Sequence, residues 1–401
     1  MTTSGATNWQ EIESQYYMQT VRRVPVTLVR GEGTKVWDDQ GREYLDFVGG
    51  WATATLGHSH PVLAEAVAEQ ARTLIQVSNA FFTVPQAELA QLLIDNSCMD
   101  RVFFCNSGAE AVEGAIKVAR RYGKLHRDGA YEVITALESF HGRTLGTLSA
   151  TGQPQYQEAF TPLTPGFVHV PFDSIDAIVE ATTERTAAVL LEPVQGEGGV
   201  NIPSPNYLRQ VREWCDANNL LLMFDEVQTG VGRLGTLFGY ESFDVEPDVM
   251  SLAKGLGGGV PIGAFLVKDR ADSLTFGDHG STYGGNPLAC AAGRAVMQTV
   301  LAEDIPGKAG RAGERLRGRM QAIADRQDSV HEVRGMGLLD AIEFSNEIAG
   351  DILTACLERG ILVNRVRPNA IRLMPPLVIT DEEIDRGTEI LEEAIAAVMQ
   401  G

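Results

Sequence analysis

The sequence predicts an α/β protein with a mostly parallel central sheet in a large domain and a smaller second α/β domain. Two short apolar runs, at 220–224 and 249–253, are each followed by one charged residue, Asp225 and Lys254. Runs of about five apolar residues bounded by polar ones are typical of strands buried on both faces, as in a parallel sheet. Between about 86 and 290 such runs alternate with helical patterns, which indicates repeated βα units covered by helices.

The composition is typical of a globular, enzyme-sized chain and argues against anionic partners. The 401 residues are 44% hydrophobic, which suits two or three domains of about 100–200 residues each with a substantial core. The formal net charge of −20 predicts that neither nucleic acid nor an anionic membrane is a partner. No apolar stretch approaches the roughly 20 residues needed to span a bilayer, and residues 1–5 are polar, without a signal-peptide core.

Cysteine and lysine usage each lead to one expectation. The cysteines number five, form no C-x-x-C pair and lie partly in apolar runs, so we expect reduced core residues of a cytoplasmic protein. Lysine accounts for six of the 33 basic residues: Lys35, Lys117, Lys124, Lys254, Lys268 and Lys308. A lysine at the end of a buried strand, such as Lys254, is therefore a candidate functional residue.

The first part of the chain predicts a small antiparallel unit. Residues 1–24 are expected to form a polar helix or arm, 26–37 alternate like a hairpin, and 43–47 supply a third strand. We expect residues 1–47 to join the smaller domain.

A pair of histidines follows this unit. His58 and His60 are spaced as two ligands of a metal could be, but no third ligand is evident. A turn leading into a helix at 61–76 is the favoured interpretation.

The middle of the chain, 48–290, is expected to form the large domain. Its further predicted helices are 86–96, 109–125 and 205–218. Its predicted strands are 101–105, 132–136, 167–170, 187–191, 220–224, 249–253 and 263–267.

The end of the chain, 291–401, is expected to form the smaller α/β domain together with residues 1–47. The pattern is helical from 290 to 324, with a break predicted at Pro306-Gly307. Strands are predicted within 330–344 and 361–372, and helices at 348–359 and 381–399.

Three features at strand ends suggest one binding site. The predicted strand 101–105 runs through Ser107, Gly108 and Ala109 directly into a helix, where free N–H groups and the helix dipole favour an anion. Gly108 lets the backbone approach a ligand closely. Asp225 and Lys254 follow two other strands, and ligands of parallel sheets bind beyond the carboxyl ends of the strands.

These three features match the requirements of one cofactor, pyridoxal 5'-phosphate. A protected lysine forms a Schiff base with an aldehyde. An acid such as Asp225 can hold the ring nitrogen protonated, so that the ring accepts electrons. The helix N-terminus would hold the phosphate. The order along the chain, with the anion site first, Asp225 next and Lys254 last, predicts a pyridoxal-phosphate site.

The motifs around these residues resemble one enzyme family. The chain is similar to the class III (omega) aminotransferases of fold type I, and within them most to the acetylornithine aminotransferases. The resemblance covers nearly the whole chain. It rests on the stretches Val29-Arg-Gly-Glu-Gly33, Tyr44-Leu-Asp-Phe47, Leu56-Gly-His-Ser-His-Pro61, Val77-Ser-Asn79, Phe103-Phe-Cys-Asn-Ser-Gly-Ala-Glu-Ala111, Phe140-His-Gly-Arg-Thr144, Glu192-Pro-Val-Gln-Gly-Glu-Gly198, Phe224-Asp-Glu-Val-Gln-Thr-Gly-Val-Gly-Arg233, Leu252-Ala-Lys-Gly255, Gly280-Ser-Thr-Tyr-Gly-Gly-Asn-Pro287 and Gly335-Met-Gly-Leu338.

The resemblance implies roles in holding the cofactor. Lys254 is the residue to which the cofactor is attached, and Asp225 pairs with the pyridine nitrogen. Gln228 reaches the ring oxygen, and Phe140 stacks on the ring face. The phosphate is held at Ser107, Gly108 and Ala109.

It also implies roles in binding substrates. Arg143 takes the alpha-carboxylate, and Ser281 contacts the substrate. Arg372 and its acidic partner Glu197 let one pocket accept both a neutral-tailed donor and a dicarboxylate acceptor. Thr282 reaches the phosphate of the partner subunit, so a homodimer with shared active sites is expected.

The implied reaction is a ping-pong transfer of an amino group from an omega-amine to a 2-oxo acid, with 2-oxoglutarate as the expected acceptor. Acetylornithine, ornithine, 4-aminobutyrate and a carrier-bound lysine remain alternative donors, because each ends in a primary amine far from a carboxylate. Considered alone, each of three residues has a simpler interpretation. Phe140 could be a core residue, Arg143 could form a surface ion pair, and Glu197 could be an ordinary loop residue.

Two departures from the family pattern are relevant. Trp51 stands where acetylornithine-type relatives usually have an aliphatic residue and ornithine-type relatives tend to have an aromatic. It is therefore expected to line the donor tunnel, with core packing beside Phe47 as the alternative. The second departure, Glu110-Ala-Val-Glu113, is minor.

A nucleotide-binding oxidoreductase is the alternative from another enzyme class. Residues 230–235 match G-x-G-x-x-G literally. The glycines begin five residues after the strand end at Asp225, and 236–240 do not resemble an opening helix, so the match is weak.

Overall fold

Three sheets and the helices packed around them make up the protein. The structure, a computed structural model, describes residues 8–400. The expectations for residues 1–7, which cover the start of the predicted arm, lie outside the described residues. Within the described part of the chain, no helix is both long and apolar enough to cross a membrane.

The first sheet confirms the predicted antiparallel unit. After helix α1 (Trp9–Tyr16), strands β1 (Leu28–Glu32), β2 (Lys35–Asp38) and β3 (Glu43–Asp46) pair in order and antiparallel. Strand β13 (Ile361–Leu362), from late in the chain, lies parallel to β3. The two ends of the chain therefore share one sheet.

The central sheet has seven strands and is mostly parallel, as predicted. In space the order is β4-β10-β9-β8-β7-β5-β6, and β10 is antiparallel to both of its neighbours while the other pairs are parallel. The strands are β4 (Arg101–Cys105), β5 (Glu132–Ala136), β6 (Phe167–Val170), β7 (Thr186–Leu191), β8 (Leu221–Asp225), β9 (Val249–Leu252) and β10 (Gly263–Val267).

Helices cover both faces of this sheet, so the inner strands β7, β8 and β9 are fully buried. The apolar stripe predicted on the helix after β4 is confirmed, because Ala111, Ala115, Val118 and Ala119 are buried. The helices of this part of the chain are α2 (Gly49–Ala52), a single turn with positive φ angles, α3 (Pro61–Thr73), α4 (Val84–Asp95), α5 (Gly108–His126), α6 (Leu145–Ala150), α7 (Pro154–Gln157), α8 (Ile175–Ala181) and α9 (Tyr207–Ala217).

The last part of the chain adds a four-stranded antiparallel sheet in the order β11-β12-β15-β14. Helices α11 and α12 pack against it, and α13 packs against both of these helices. The elements are α10 (Pro287–Ala302), α11 (Ile305–Ala324), β11 (Val330–Met336), β12 (Leu339–Phe344), α12 (Ala349–Glu358), β14 (Asn364–Arg367), β15 (Ala370–Leu373) and α13 (Asp381–Gln400).

The helix break predicted at Pro306-Gly307 is wrong in position. Helix α10 ends at Ala302, and α11 already begins at Ile305. Asp304, with φ 50°, caps α11 by accepting the Gly307 N–H at 3.2 Å. Pro306 lies in the first helical turn, where its missing N–H is not needed.

The histidine pair lies in the predicted turn before α3. His58 Nε2 lies 2.7 Å from Asp46 Oδ2, and its backbone N–H donates to Gly33. Among the described residues, no group of three or more His, Cys, Asp or Glu side chains could hold a metal ion. His58 therefore ties this turn to the first sheet.

Candidate active site

A cavity of about 450 Å³ lies at the carboxyl edge of the central sheet. Its walls come from residues that follow β4, β5, β7, β8 and β9, which is where ligands of parallel α/β sheets bind. Most of the predicted site residues line it: Ser107, Gly108, Ala109, Phe140, Arg143, Glu197, Asp225, Gln228 and Lys254.

Asp225 is the last residue of β8 and is 4% exposed. Its Oδ1 accepts the Val227 N–H at 3.0 Å, and its Oδ2 lies 2.8 Å from His141 Nδ1. The His141 side chain is fully buried, and its Nε2 has no hydrogen-bond partner among the described residues. His141 was not predicted as a site residue, although it lies inside the stretch 140–144 that carries the family resemblance.

Lys254 follows β9, lines the cavity and has a strained backbone conformation, with φ 38°. Burial lowers the pKa of Lys254 from its usual value; the nearby Glu197 and Asp225 carboxylates oppose this effect. A lowered pKa increases the fraction of neutral amine, the form that acts as a nucleophile or a base. Strained conformations cluster at functional sites because the surrounding structure must hold them.

The N-terminus of α5, where an anion site was predicted, lies at the cavity. The Ser107 side chain accepts the Glu110 N–H at 3.2 Å, which leaves the N–H groups of Gly108 and Ala109 without a partner inside the helix. A Cβ on Gly108 would lie 2.8 Å from Val227 Cγ1. Glycine is thus required for the close contact between this helix and the loop after Asp225.

Glu192, another residue not predicted for the site, ties two cavity loops together. One carboxylate oxygen accepts the Phe140 N–H at 3.1 Å, and the other accepts the Gly196 N–H at 3.3 Å. Burial raises the pKa of Glu192 to about 7. Its position directly after β7, at the same sheet edge as Asp225, is the sequence feature that could have identified it as a site residue.

Arg372, on β15, does not itself line the cavity; it is fully buried and contacts two lining residues. Its Nη2 pairs with Glu197 at 2.8 Å, and its Nη1 donates to Gln228 Oε1 at 3.0 Å. Although burial acts to raise the pKa of Glu197, the charges of Arg372 and Lys254 hold it below its usual value. The predicted Arg372–Glu197 pair is therefore present in the structure.

Arg143 lies at the mouth of the cavity and is exposed. Its guanidinium carbon is 3.8 Å from the centre of the Tyr156 ring and 5.3 Å from that of Phe140. These cation–π contacts orient the side chain while leaving its N–H donors accessible.

Besides Arg372, three predicted site residues do not line the cavity of the single chain. Ser281 Oγ accepts a hydrogen bond from Asn106 Nδ2 at 3.2 Å, just beside the α5 N-terminus. The Thr282 side chain is exposed. Trp51, with φ 60°, is 52% exposed, so the alternative that it fills the core beside Phe47 is wrong within one subunit.

The G-x-G-x-x-G match is not part of a strand–turn–helix unit. Residues 230–235 form consecutive turns, and a 3-10 helix begins only at Gly239. A dinucleotide-binding turn instead opens a helix whose N-terminus holds the pyrophosphate.

Comparison with known proteins identifies the family. The aminotransferase class-III family profile matches residues 16–395. The chain is 48% identical over 387 residues to an acetylornithine aminotransferase of Caldanaerobacter subterraneus, covering 96% of this chain and 98% of that protein. It is 50% identical over 389 residues to the acetylornithine aminotransferase of Gloeobacter violaceus, covering 96% of this chain and 97% of that protein.

Solved structures agree with this assignment. The ornithine aminotransferase of Toxoplasma gondii matches with a TM-score of 0.93 at 36% identity, covering 98% of this chain and 95% of that one. The acetylornithine aminotransferase of Elizabethkingia anophelis matches with a TM-score of 0.87 at 35% identity, covering 97% and 98%. These matches confirm the predicted fold class and enzyme class, and the chain belongs to the class-III aminotransferase family.

Proposed function

We propose that this chain is a pyridoxal-phosphate-dependent aminotransferase that moves the omega-amino group of an acetylornithine-like donor to 2-oxoglutarate. One observation carries the proposal. A buried lysine with a lowered pKa, a histidine-backed aspartate and a free helix N-terminus share one cavity. These are the amine, the acid and the anion site that pyridoxal phosphate requires.

The residues present fit this cofactor. The close approach at Gly108 and the free N–H groups of α5 suit a phosphate. Asp225 faces the cavity with one side fixed by His141. When bound, pyridoxal phosphate supplies an aldehyde that condenses with amines and a ring that accepts the electrons released at the donor carbon.

Each charged side chain then has a defined task. Lys254 Nζ holds the cofactor and, once released, carries the proton from the donor carbon as a general base. Asp225 keeps the proton on the ring nitrogen. His141 donates its Nδ1–H to Asp225, because a carboxylate only accepts hydrogen bonds. Glu192 fixes the backbone of Phe140, the residue proposed to stack on the ring.

The choice of substrates rests on the two arginines. Arg143 and Arg372 are proposed to bind the two carboxylates of 2-oxoglutarate, and Glu197 neutralises Arg372 when a donor with a neutral tail is bound. The relatives at 46–50% identity named acetylornithine aminotransferase support acetylornithine as the donor. Ornithine is the second candidate, supported by the Toxoplasma gondii structure and by the aromatic Trp51.

We also propose a homodimer of cytoplasmic location. Large apolar side chains are exposed on one subunit at Phe81, Phe82, Phe276 and Tyr283, which a partner subunit would cover. Asn79 donates to the Ser281 and Gly284 carbonyls and so holds the loop that carries Thr282. We propose that Thr282 completes the phosphate site of the partner subunit. The cysteines, all five free, fit a reducing compartment.

A donor screen tests the proposal. Protein loaded with pyridoxal phosphate is assayed for glutamate formation from 2-oxoglutarate with acetylornithine, ornithine, 4-aminobutyrate and a carrier-bound lysine. We expect the highest kcat/KM with acetylornithine. Lys254→Ala is the matched control and should lose both turnover and the visible absorption of the cofactor while its fold survives. Normal turnover by that variant would refute the proposal.

A further inference from the structure

The guanidinium of Arg372 is engaged on two sides. On one side, Asn364 Oδ1 accepts hydrogen bonds from Nε at 3.1 Å and from Nη2 at 2.9 Å. On the other side, Nη2 pairs with Glu197 at 2.8 Å and Nη1 donates to Gln228 Oε1 at 3.0 Å. The edge formed by Nη1 and Nη2 is therefore shared between one charged and one neutral partner.

This edge is the one that a substrate carboxylate needs. Arginine binds a carboxylate most strongly through two parallel N–H···O bonds. Displacing Glu197 alone frees one N–H of Nη2, whose other N–H stays bonded to Asn364, and leaves Nη1 bonded to Gln228. A carboxylate that binds both nitrogens must displace both partners.

We propose that Gln228 acts together with Glu197 to block the Nη1 and Nη2 edge of Arg372, and that it is a specificity-determining residue of this site. The contacts of Glu197 and Gln228 with this edge are called the closure. The inference rests on the proposed function of Arg372 as a carboxylate-binding residue. Gln228 makes the free energy of binding a dicarboxylate less favourable, because its hydrogen bond to Arg372 must be broken. It does not change the binding of a donor with a neutral tail, which leaves that bond in place.

Only one orientation of the Gln228 amide suits its surroundings. Arg372 can only donate and the Glu197 carboxylate can only accept, so Oε1 must face Arg372 and Nε2 must face Glu197. Nε2 donates to Glu197 Oε1 at 3.1 Å, which closes a ring of three hydrogen-bonded side chains. The second N–H of Nε2 stays available for the ring oxygen of the cofactor, so the amide links cofactor and closure.

A glycine makes room for this amide. A Cβ on Gly196 would overlap Gln228 Oε1. The Gly196 N–H is itself held by Glu192 at 3.3 Å, so the loop cannot readily retreat. An alanine at 196 is thus expected to push the amide off Arg372 without removing it.

Binding of glutarate, an unreactive dicarboxylate, measures the closure directly. Calorimetry on the cofactor-loaded protein compares wild type with Gln228→Met, which keeps the length of the side chain but cannot accept from Arg372. Losing one competing hydrogen bond should tighten glutarate binding about 3- to 10-fold. Pentanoate, with one carboxylate, should bind both proteins equally. Gly196→Ala should shift glutarate binding in the same direction, and it serves as the test if Gln228→Met does not retain cofactor.

The control variant is Asn364→Ala, which removes the support behind Arg372 and leaves the closure in place. It should weaken glutarate binding. The inference is overturned if neither Gln228→Met nor Gly196→Ala tightens glutarate binding, or if pentanoate shifts by the same factor. A wild type that fails the donor screen, yet shows the expected glutarate shift, would refute the proposed reaction and leave this role of Gln228 standing.

Discussion

At the scale of single residues, the cavity sets protonation states through burial and through neighbours. Lys254 is pushed toward the neutral form by burial, whereas Glu197 is kept ionised by Arg372 and Lys254. Asp225 is oriented by His141 on one side and by a backbone N–H on the other. Groups with opposite demands thus lie together, which is typical of acid–base catalysis.

Asp225→Asn tests whether this carboxylate holds the ring nitrogen protonated. We expect the variant to bind cofactor but to lose about 10²–10³-fold in the rate of a single turnover, the scale seen when one electrostatic contact to a transition state is removed. Stopped-flow absorbance with a donor amine measures this rate. A rate near that of wild type would make Asp225 only a structural anchor for His141.

Trp51 tests donor selection. Gly50 and Trp51 both have φ 60°, and a β-branched residue at position 51 would be strained in this conformation. Trp51→Leu is therefore preferred to a substitution by valine or isoleucine. If the indole narrows the donor tunnel, kcat/KM for acetylornithine should rise relative to ornithine, by a ratio worth at most about 1–3 kcal/mol. The half-reaction with 2-oxoglutarate should change less. An equal change for every donor would remove Trp51 from the specificity determinants.

At the scale of elements, the site is assembled from strand ends and one helix start. Parallel strands β7, β8 and β9 end at Leu191, Asp225 and Leu252, beside the N-terminus of α5. Because parallel strands end at the same edge, residues far apart in sequence converge without any long loop. Two predictions concern how these ends are held.

Gly108→Ala tests the close contact between α5 and the loop after β8. The added Cβ would meet Val227, and overpacking of this kind costs about 1–3 kcal/mol. We expect weaker binding of pyridoxal phosphate, measured by fluorescence titration, and a lower Tm. Gly318→Ala is the matched control: this helical glycine is exposed with open space around its Cα, so the variant should gain about 1 kcal/mol and bind cofactor normally. Equal effects of the two variants would contradict a specific role of Gly108.

Glu226 gives a stability prediction that depends on pH. This buried residue, next to Asp225, accepts the N–H groups of Gly239 and Tyr240, and burial raises its pKa from 4.5 to about 8. A group with a raised pKa in the folded state stabilises fully below its unfolded pKa and loses that contribution as pH rises through its folded pKa.

Between pH 5 and pH 9 the free energy of unfolding should therefore fall more in wild type than in Glu226→Gln, by up to about 1.4 kcal/mol per pH unit. Urea denaturation at several pH values measures the two slopes. Parallel slopes would show that Glu226 is ionised in the folded protein throughout this range.

At the scale of the whole molecule, the C-terminal sheet places Arg372 against Glu197 and Gln228, which line the cavity at the edge of the central sheet. Arg233 joins the two: its Nη1 donates to the Leu338 carbonyl at 2.8 Å and to the Pro375 carbonyl at 2.7 Å. The Leu338 N–H donates back to the Arg233 carbonyl at 2.9 Å. One bond lies just after β15 and the others just before β12, which pairs with β15, so they anchor the strand that carries Arg372.

Mixing two inactive variants tests the proposed shared site. Lys254→Ala and Thr282→Ala subunits are exchanged, and activity is measured against the fraction of heterodimer. In a heterodimer, the subunit that keeps Lys254 would receive an intact Thr282 from its partner, so activity should appear in proportion to exchange. Proven exchange without recovery would place Thr282 in the site of its own subunit.

The sequence by itself determined most of the elements and predicted most of the residues that line the candidate site. Apolar runs, glycines and their spacing are local signals, so β4, β5, β6 and β10 were predicted with the bounds that the structure has. Asp225 and Lys254 could be found because a charge directly after a buried strand is visible in one dimension. The helix break was predicted at Pro306, too late in the chain, because the turn at Asp304 depends on a positive φ that has no strong signal in the sequence.

Only the tertiary structure decided how these residues are held. His141 and Asp225 are 84 residues apart, and Arg372 and Gln228 are 144 apart. Such pairings depend on strand order, on register and on where loops cross the sheet edge, none of which a local pattern encodes. The same holds for the room that Gly196 leaves for the Gln228 amide. The sequence around Gly196 predicts a glycine-rich loop. The side chain that this glycine accommodates, Gln228, follows a different strand and is brought close only by the fold.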